Sequence, residues 1–464
     1  MSAGPKDGGA LGILILAAGQ GTRMQSSVPK VLHRIGGMPM IHYTLRLANA
    51  LKPAGIAVVV GHEAEAVKKT IADSLSDWGI TRPVSFIHQK NLTGSGAAVL
   101  ESLPFLKKFK TVLVTAGDAP LLTFDTMHAV LKHHEEQKGQ VTLLTARLRD
   151  PRGYGRIVRS PLGEVVRIVE ELDATQKEAA ITEVNSGTYC FEAGLLVDAV
   201  KRLTPKNAKK ELYLTDCLEH IRTTGGRVAA HLTGTGEECQ GVNNRLQLAN
   251  AERILNRRML ERLMLAGVTI MDPGTTYADA DVEVGQDSVL LPGTILRGKT
   301  RIGRLCRIGP WTHIEDSTIG NECEISASTV RGARLLEKTS VGPYSHVRPD
   351  TVAGPAARIG NFTEIKASRI GYGSKVPHLS YVGDADIAEG VNLGAGTITC
   401  NYDGKDKHKT TIAAKAFIGS NVNLVAPVKI GRGAMVAAGS TITEDVPDGA
   451  LAIARERQVN KVRR

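Results

Sequence analysis

Residues 410–443 read TTIAAKAFIGSNVNLVAPVKIGRGAMVAAGSTIT, and this stretch decides the fold of the second half of the chain. Its aliphatic residues recur at every sixth position: Ile412, Ile418, Leu424, Ile430, Val436 and Ile442. A period of six fits neither an α-helix nor an ordinary amphipathic strand, but it is typical of hexapeptide repeats. Each such repeat supplies one short strand and one turn of a parallel β-helix, and the stacked coils bury the aliphatic side chains in one continuous core.

The same period extends over about residues 281–443. One series crosses residues 302–330 with occasional steps of five, and another crosses residues 359–393. With three faces and about 18 residues in each coil, the region predicts roughly eight or nine coils. Residues 399–411 interrupt the period with polar and charged residues, so we expect a loop that projects from one coil. Loops held on a rigid scaffold commonly carry function.

The first half of the chain has a different organisation. From Leu11 to about Ala146, short β-rich runs alternate with helical patterns, which predicts a Rossmann-like α/β domain with a parallel sheet covered by helices on both faces. Residues 246–266 contain no Gly or Pro and carry apolar residues at spacings of three and four, as one long helix does. This helix is either an arm between two domains or the last helix of the first domain. We expect domains at 1–245 and 267–464, the second ending in a basic tail.

Composition narrows the functional classes. The 464 residues are 42% hydrophobic and 23% charged, which excludes a wholly disordered chain. No apolar run reaches the about 18 residues that a membrane span needs, so no membrane partner is expected. The six cysteines lie far apart without a CxxC pair, which argues against disulfides or a zinc site and favours the cytoplasm. The net charge of +11 favours anionic partners, either nucleic acid or phosphorylated small molecules.

The first chemical motif follows the first predicted strand. Residues 16–24 read LAAGQGTRM, and residues 29–32 read PKVL. Glycines at a strand-to-helix turn let backbone N–H groups approach a phosphate, and Arg23 and Lys30 add two cations at the same edge. Met24 stands where a dinucleotide fingerprint needs glycine, and a Gly-Gln-Gly turn alone is as often structural. The complete string, however, is similar to the signature of sugar-phosphate nucleotidyltransferases.

Asp118 follows a second predicted strand, Thr111–Thr115. A carboxylate at the carboxyl end of a parallel strand lies where open α/β sheets bind ligands, and its oxygens suit Mg²⁺ bound to a triphosphate. The alternative is a helix N-cap before Pro120.

Over roughly residues 10–456 the chain resembles the family of bifunctional N-acetylglucosamine-1-phosphate uridylyltransferase/glucosamine-1-phosphate N-acetyltransferases. Beside the motifs above, the resemblance rests on Gly153–Ile157, Asn185–Gly187, Gly241–Arg245, Gly360–Phe362, His378–Tyr381, Asn392–Thr397 and Asn401–Gly404. It implies a left-handed hexapeptide β-helix and a homotrimer with acetyl-transfer sites between neighbouring helices. It also implies small-molecule substrates, among them UTP and acetyl-CoA, and no nucleic-acid partner.

By that resemblance the first half holds a uridylyl-transfer site. Arg23 and Lys30 would neutralise charge during the transfer, and Asp118 and Asn243 would hold Mg²⁺. The nucleotide and its sugar product would be bound by Leu16, Ala17, Ala18, Gly19, Lys30, Gln89, Gly94, Ser95, Gly117, Gly155, Glu170, Asn185 and Asn243.

By the same resemblance the second half holds an acetyl-transfer site, with His378 as the base that accepts a proton from the attacking amine. An imidazole suits this task, although a lone His in a repeat is more often packed or solvated. Glucosamine-1-phosphate would be bound by Arg348, Lys366, Tyr381 and Asn392, and acetyl-CoA by Ala395, Asn401, Tyr402, Ser420, Ala438 and Arg455. Taken alone, Arg348 and Lys366 could equally be solvated surface charges.

Two positions depart from the family pattern, and two other functions compete. Ala116 stands where the family usually has Tyr, and Ala97 stands where a His is common, so the contacts to nucleotide and sugar can differ. One competing function is a monofunctional nucleotidyltransferase whose β-helix is a non-catalytic scaffold, which would not need His378. The other is nucleic-acid binding, prompted by the basic tail Arg455–Arg464, but no nucleic-acid-binding motif accompanies that charge.

Overall fold

The computed structural model describes residues 11–462, so the last two residues of the predicted basic tail lie outside the described residues. The chain divides into two compact units, one that ends at Leu255 and one that begins at Asn256. The predicted long helix spans Arg245–Leu265 and runs across this division. Within residues 11–462, no helix combines the length and the apolar character that crossing a bilayer requires.

The first unit is built on a nine-stranded mixed sheet and a separate two-stranded sheet. The strands are β1 (Leu11–Ala17), β2 (Arg34–Ile35), β3 (Met38–Pro39), β4 (Gly55–Val60), β5 (Val84–His88), β6 (Thr111–Ala116), β7 (Val141–Arg147), β8 (Arg156–Arg159), β9 (Val165–Val169), β10 (Glu183–Glu192) and β11 (Val228–Leu232). The helices are α1 (Met40–Ala50), α2 (Ala64–Ser74), α3 (Ser95–Glu101), α4 (Leu103–Leu106), α5 (Phe124–Glu136), α6 (Gln176–Ala179), α7 (Ala193–Val200), α8 (Asp216–Thr223) and α9 (Arg245–Leu265).

The α/β prediction for the first unit is confirmed, and the sheet differs from the expected parallel one at β10. The strand order is β11-β7-β10-β6-β1-β4-β5, with the β8–β9 hairpin beside β10. β10 runs antiparallel to β6 and β7, whereas β1, β4, β5 and β6 are parallel neighbours. The chain passes from β7 to β10 through the β8–β9 hairpin and the short helix α6, without the long helical crossover that joins parallel neighbours, and β10 enters the sheet in the opposite direction. Ile13 and Ile15 pack on one face of the sheet and Leu14 on the other, so both faces are buried.

The second unit is a parallel β-helix with three faces, as the period of six predicts. Face 1 contains Thr269–Ile270, Val289–Leu290, Arg307–Ile308, Glu324–Ile325, Ser340–Val341, Arg358–Asn361, Lys375–His378, Asn392–Leu393, Phe417–Ile418, Met435–Val436 and Leu451–Ala452. Face 2 contains Tyr277–Ala278, Ile295–Arg297, His313–Glu315, Thr329–Arg331, His346–Val347, Glu364–Lys366, Tyr381–Gly383, Ile398–Cys400, Asn423–Val425 and Thr441–Ile442. Face 3 contains Glu283–Val284, Arg301–Ile302, Thr318–Ile319, Arg334–Leu335, Val352–Ala353, Arg369–Ile370, Ala385–Ile387, Thr410–Ile412 and Val428–Ile430.

The aliphatic residue of each hexad points into the β-helix core. Ile365 stacks between Val347 and Val382 of the neighbouring coils, and all three side chains are fully buried. Face 1 has 11 strands, more than the eight or nine coils predicted, because the β-helix extends from Thr269 to Ala452, beyond both ends of the predicted repeat region. Several coils are also shorter than 18 residues, as the pairs Ile308–Ile325 and Ile325–Val341 show. The predicted loop is present. One strand ends at Cys400, the next begins at Thr410, and residues 401–409 project between them.

Candidate active sites

A cavity of about 300 Å³ opens at the carboxyl ends of β1 and β6, where open α/β sheets bind ligands. Its walls are Leu16, Ala17, Gly19, Lys30, Val31, Ser95, Ala116, Asp118, Glu170, Asn185, Gly187, Tyr189, Leu214 and Thr215. The cavity therefore gathers residues that are far apart in the chain, and half of them belong to the set predicted for nucleotide binding.

Charged side chains surround Lys30 at one end of this cavity. The Lys30 ammonium contacts Asp118 Oδ2 and lies 3.1 Å from Asn243 Oδ1. Arg23 Nη2 donates to the same Asn243 oxygen over 3.0 Å. The backbone N–H of Val242 donates to the Asp118 carbonyl over 2.9 Å and so holds Asn243 beside Asp118. Two oxygen atoms that can bind a metal ion and two cationic side chains therefore lie close together, where a phosphate and its counter-ion can be accommodated.

Two short 3₁₀ helices place the cations at this end. Thr22–Met24 carries Arg23, and Lys30–Leu32 carries Lys30. Gly21, which precedes the first of them, has φ 63°, and a Cβ at that position would lie 2.7 Å from Lys30 Cβ. The glycine of the motif is therefore required for the close approach of the two segments.

Uncharged hydrogen-bonding groups and one carboxyl group line the other end. Thr215 Oγ1 donates to Glu170 Oε1 over 3.4 Å, and Asn185 Nδ2 donates to Tyr189 Oη over 2.6 Å. Burial raises the pKa of Glu170, because removal from water disfavours the carboxylate. Gly155 packs against this group, since a Cβ there would lie 3.4 Å from Glu170 Oε1. This end offers partners for hydroxyl and amide groups, whereas Lys30 and Arg23, which attract phosphate, lie at the other end.

Several residues predicted for this site support the cavity rather than line it. Gln89 is buried, and its Nε2 donates to the carbonyls of Asn91 and Gly94, so it holds the adjoining loop. Ser95 lines the cavity, but its Oγ accepts the N–H of Leu214. The others outside the wall are Ala18, Gly94, Gly117 and Gly155, together with Arg23 and Asn243, which reach it through Lys30.

A groove of about 510 Å³ runs along face 1 of the β-helix. Its walls are Pro377, His378, Asn392, Leu393, Gly394, Ala395, Phe417, Gly419, Ser420, Met435, Val436, Ala437 and Ala438. His378 Nδ1 lies 2.7 Å from Asn361 Oδ1 of the preceding coil. This contact fits an imidazole that donates from Nδ1 to the amide oxygen and keeps the lone pair of Nε2 free. The groove thus combines an imidazole with a slot that includes the small residues Gly394, Ala395 and Gly419.

The residues predicted to bind the sugar phosphate lie mainly at face 2 and do not line this groove. Arg348 follows the strand His346–Val347, and its Nη1 donates to Glu364 Oε1 over 2.7 Å. Lys366 ends one strand of face 2 and Tyr381 begins the next. Only Asn392 of the predicted set lies in the groove wall.

The projecting loop returns over the same part of face 2. A Cβ at Gly383 would lie 2.5 Å from Tyr381 Oη and 2.8 Å from Asn401 Nδ2, so the phenol and the amide meet over this glycine. Asn401 Nδ2 also contacts Asp384 Oδ2. Tyr402 is exposed, and its hydroxyl donates to the Gly404 carbonyl over 2.6 Å. The loop thus presents Asn401 beside Tyr381.

Charged groups shape this loop and its surroundings. Asp403 Oδ2 lies 2.7 Å from His408 Nε2, and this hydrogen bond lowers the pKa of Asp403. The neighbouring ammonium of Lys366 lowers the pKa of Lys407. Arg455, predicted for acetyl-CoA, lies farther along the helix, and its Cδ would be 3.7 Å from a Cβ at Gly439.

Comparison with known proteins agrees with this division of the chain. Residues 13–205 match the MobA-like NTP transferase domain, and residues 409–444 match the bacterial transferase hexapeptide (six repeats). A protein of Caldanaerobacter subterraneus subsp. tengcongensis named bifunctional protein GlmU is 49% identical over 97% of this chain and 96% of its own length. A namesake from Halalkalibacterium halodurans is 48% identical over 97% of each chain. The chain belongs to the bifunctional GlmU family.

Membership in the GlmU family confirms the bifunctional interpretation of the sequence. The nucleotidyltransferase domain and the left-handed hexapeptide β-helix are both present, and the chain carries uridylyltransferase and acetyltransferase activities. The monofunctional alternative with a non-catalytic scaffold is therefore the weaker one.

The sequence analysis missed some residues of both GlmU sites. Tyr189 and Thr215 line the first cavity, and Asn361 contacts His378. Tyr189 belongs to a buried strand and carries no motif of its own, so only the fold brings it to the cavity. Asn361 lies within the family motif Gly360–Phe362, and this motif could have marked it as a candidate. Its contact with His378, however, follows only from the stacking of coils.

Proposed function

We propose that the cavity of the first unit transfers UMP from UTP to N-acetylglucosamine-1-phosphate, and that the groove of the second unit acetylates glucosamine-1-phosphate with acetyl-CoA. The second reaction supplies the substrate of the first, and the product is UDP-N-acetylglucosamine. The observation that carries the proposal is that each unit gathers its own reactive set, Lys30 with Asp118 in one and His378 with Asn361 in the other.

In the uridylyl transfer, a phosphate oxygen of the sugar phosphate attacks the α-phosphorus of UTP. The new P–O bond forms as the bond to the departing pyrophosphate breaks. Both reactants are anions, so Lys30 and Arg23 would neutralise charge and align the phosphates at their end of the cavity. The end with Glu170 and Asn185 would then hold the uncharged part of the ligand.

The residues around Lys30 fit a magnesium ion. Asp118 Oδ2 and Asn243 Oδ1 both face one cation, the Lys30 ammonium, so the two oxygens already converge on a positive charge. Two oxygen ligands from the protein, completed by phosphate and water oxygens, suit Mg²⁺. When bound, the ion would neutralise charge on the triphosphate.

In the acetyl transfer, the amine of glucosamine-1-phosphate attacks the thioester carbonyl of acetyl-CoA. An N–C bond forms, the C–S bond breaks, and the amine proton must be removed. His378 Nε2 would accept this proton while Asn361 holds Nδ1. Ser420 and Ala438 would line the acetyl-CoA side of the groove. Arg348 and Lys366 would bind the sugar phosphate.

We further propose a homotrimer in which a neighbouring copy completes the acetyl-transfer site. Within one chain, His378 and Ser420 lie in the face 1 groove, whereas Lys366 ends a strand of face 2 and Arg348 directly follows one. Sites between neighbouring β-helices would bring the two sets together, which supports this assembly.

The test separates the two sites by single substitutions. His378→Ala should lower the rate of CoA release at least about 100-fold, because the base is lost, and should leave pyrophosphate release from N-acetylglucosamine-1-phosphate unchanged. Lys30→Ala should lower the rate of pyrophosphate release and leave CoA release unchanged. The matched control is His313→Ala, which changes a histidine of the second unit outside the groove and should retain both activities. Loss of both products in either single variant would contradict the assignment of one reaction to each unit.

A further inference from the structure

We propose that Tyr189 is a sugar-recognising residue of the uridylyl-transfer site: its phenol oxygen fixes the amide of Asn185, and its O–H donates a hydrogen bond to the sugar of the bound sugar phosphate. The inference rests on the uridylyl transfer proposed for the first unit.

An irregularity in β10 brings Tyr189 to Asn185. Asn185 pairs with Thr145 of β7 and Tyr189 pairs with Leu143, so four steps along β10 oppose two steps along β7. In a regular strand, residues four apart are about 13 Å apart. Here Asn185 Nδ2 donates to Tyr189 Oη over 2.6 Å, and Gly187 between them has φ 77°. Bulges of this kind re-aim side chains beside active sites.

The Asn185 amide is held at both ends. Its Nδ2 donates to the phenol oxygen of Tyr189, and its Oδ1 accepts the N–H of Gly187 over 3.1 Å. The amide therefore cannot rotate without losing both hydrogen bonds. Tyr189 thus fixes the orientation of a side chain in the cavity wall.

The hydroxyl of Tyr189 needs an acceptor from a ligand. The side chain is only 3% exposed, its ring packs 5.7 Å from that of Phe191 in the core, and it forms part of the cavity wall. Its oxygen accepts from Asn185, and within residues 11–462 the structure shows no acceptor for its O–H. Buried polar groups are nearly always hydrogen-bonded, so an acceptor atom of the bound substrate is the natural partner.

The neighbours of Tyr189 select the sugar rather than a phosphate. Glu170 lies at the same end of the cavity, and burial together with this carboxyl raises the pKa of Tyr189, so the phenol keeps its proton. The cations Lys30 and Arg23, which attract phosphate, lie at the other end of the cavity. Hydroxyl or acetamide oxygens of a hexosamine are acceptors that suit the phenol O–H.

The test is Tyr189→Phe, which removes one oxygen and keeps the buried ring. With N-acetylglucosamine-1-phosphate, UTP and Mg²⁺, we expect kcat/KM for the sugar phosphate to fall about tenfold, chiefly through KM, because one buried hydrogen bond is lost. The KM for UTP and the rate of CoA release in the same chain should stay unchanged. Tyr43→Phe is the matched control, because it removes a hydroxyl that donates to the Ile35 carbonyl outside the cavity wall.

Each result either supports or overturns the role inferred for Tyr189. Kinetics of Tyr189→Phe within twofold of the wild type, or a rise confined to the KM for UTP, would overturn the inference while the proposed function stands. Losses that simply add when Tyr189→Phe is combined with Asn185→Ala would overturn the joint action of the two residues. A wild-type chain that releases no pyrophosphate would refute the proposed function itself, and the inference with it.

Discussion

The buried carboxyl group of Glu170 lines the cavity, and its burial lowers the stability of the folded chain at neutral pH. Burial raises its pKa, so the folded chain holds the proton more tightly than the unfolded chain does. The stabilising contribution of this proton is fully present below the ordinary glutamate pKa and is lost as the pH rises through the raised pKa. At neutral pH the ionised carboxyl therefore costs stability.

Glu170→Gln should raise the melting temperature of the chain by a few degrees at neutral pH. The amide oxygen can still accept from Thr215, and no charge has to be buried. The difference from the wild type should vanish as the pH falls below the ordinary glutamate range, because Glu170 is then protonated as well. Melting curves at several pH values measure this. Glu164→Gln, at an exposed carboxyl of the same unit, is the control and should change nothing. Equal melting temperatures of wild type and Glu170→Gln at every pH would contradict the expectation.

At the scale of one element, the geometry of β10 depends on Gly187. Its φ of 77° lies in the left-handed region, and the space around its missing Cβ is open. A substitution there meets backbone strain without a steric clash against the protein. The feature that depends on Gly187 is the register shift between Asn185 and Tyr189.

Gly187→Ala should lower kcat/KM for uridylyl transfer about tenfold, because straightening the bulge separates Asn185 from Tyr189. The control is Gly163→Ala in the β8–β9 hairpin, where φ is 84° and the surrounding space is also open. Both variants should lose similar stability in denaturant unfolding, and only Gly187→Ala should lose activity. Equal activities of the two variants would show that the bulge does not position the site.

At the scale of the whole molecule, the two candidate sites lie in different units of the chain. The cavity wall contains residues only between Leu16 and Thr215, and the groove wall contains residues only between Pro377 and Ala438. Each unit also has its own buried core. Damage to one site should therefore leave the other intact, and the intermediate can be released and captured again.

An equal mixture of Lys30→Ala and His378→Ala chains should convert glucosamine-1-phosphate, acetyl-CoA and UTP into UDP-N-acetylglucosamine in the presence of Mg²⁺. Each variant alone should stop at its damaged step. Following CoA and pyrophosphate separately should reveal a lag before pyrophosphate, while N-acetylglucosamine-1-phosphate accumulates in solution. Release of CoA from the mixture without pyrophosphate would mean that the intermediate does not reach a second chain.

The sequence by itself determined the two-part architecture and indicated the candidate site residues that stand in local strings. A period of six requires an inward aliphatic residue at each turn of the chain, and Ile365 or Ile418 could satisfy that only in stacked coils. Likewise, Asp118 follows the end of β6 and Lys30 lies on the segment that follows β1, and the edge of a sheet brings such segments together. Only the tertiary structure decided that β10 enters antiparallel and that its bulge joins Tyr189 to Asn185. Pairing partners, register shifts and the stacking of His378 on Asn361 depend on contacts between distant segments, and no local pattern of residue types encodes them.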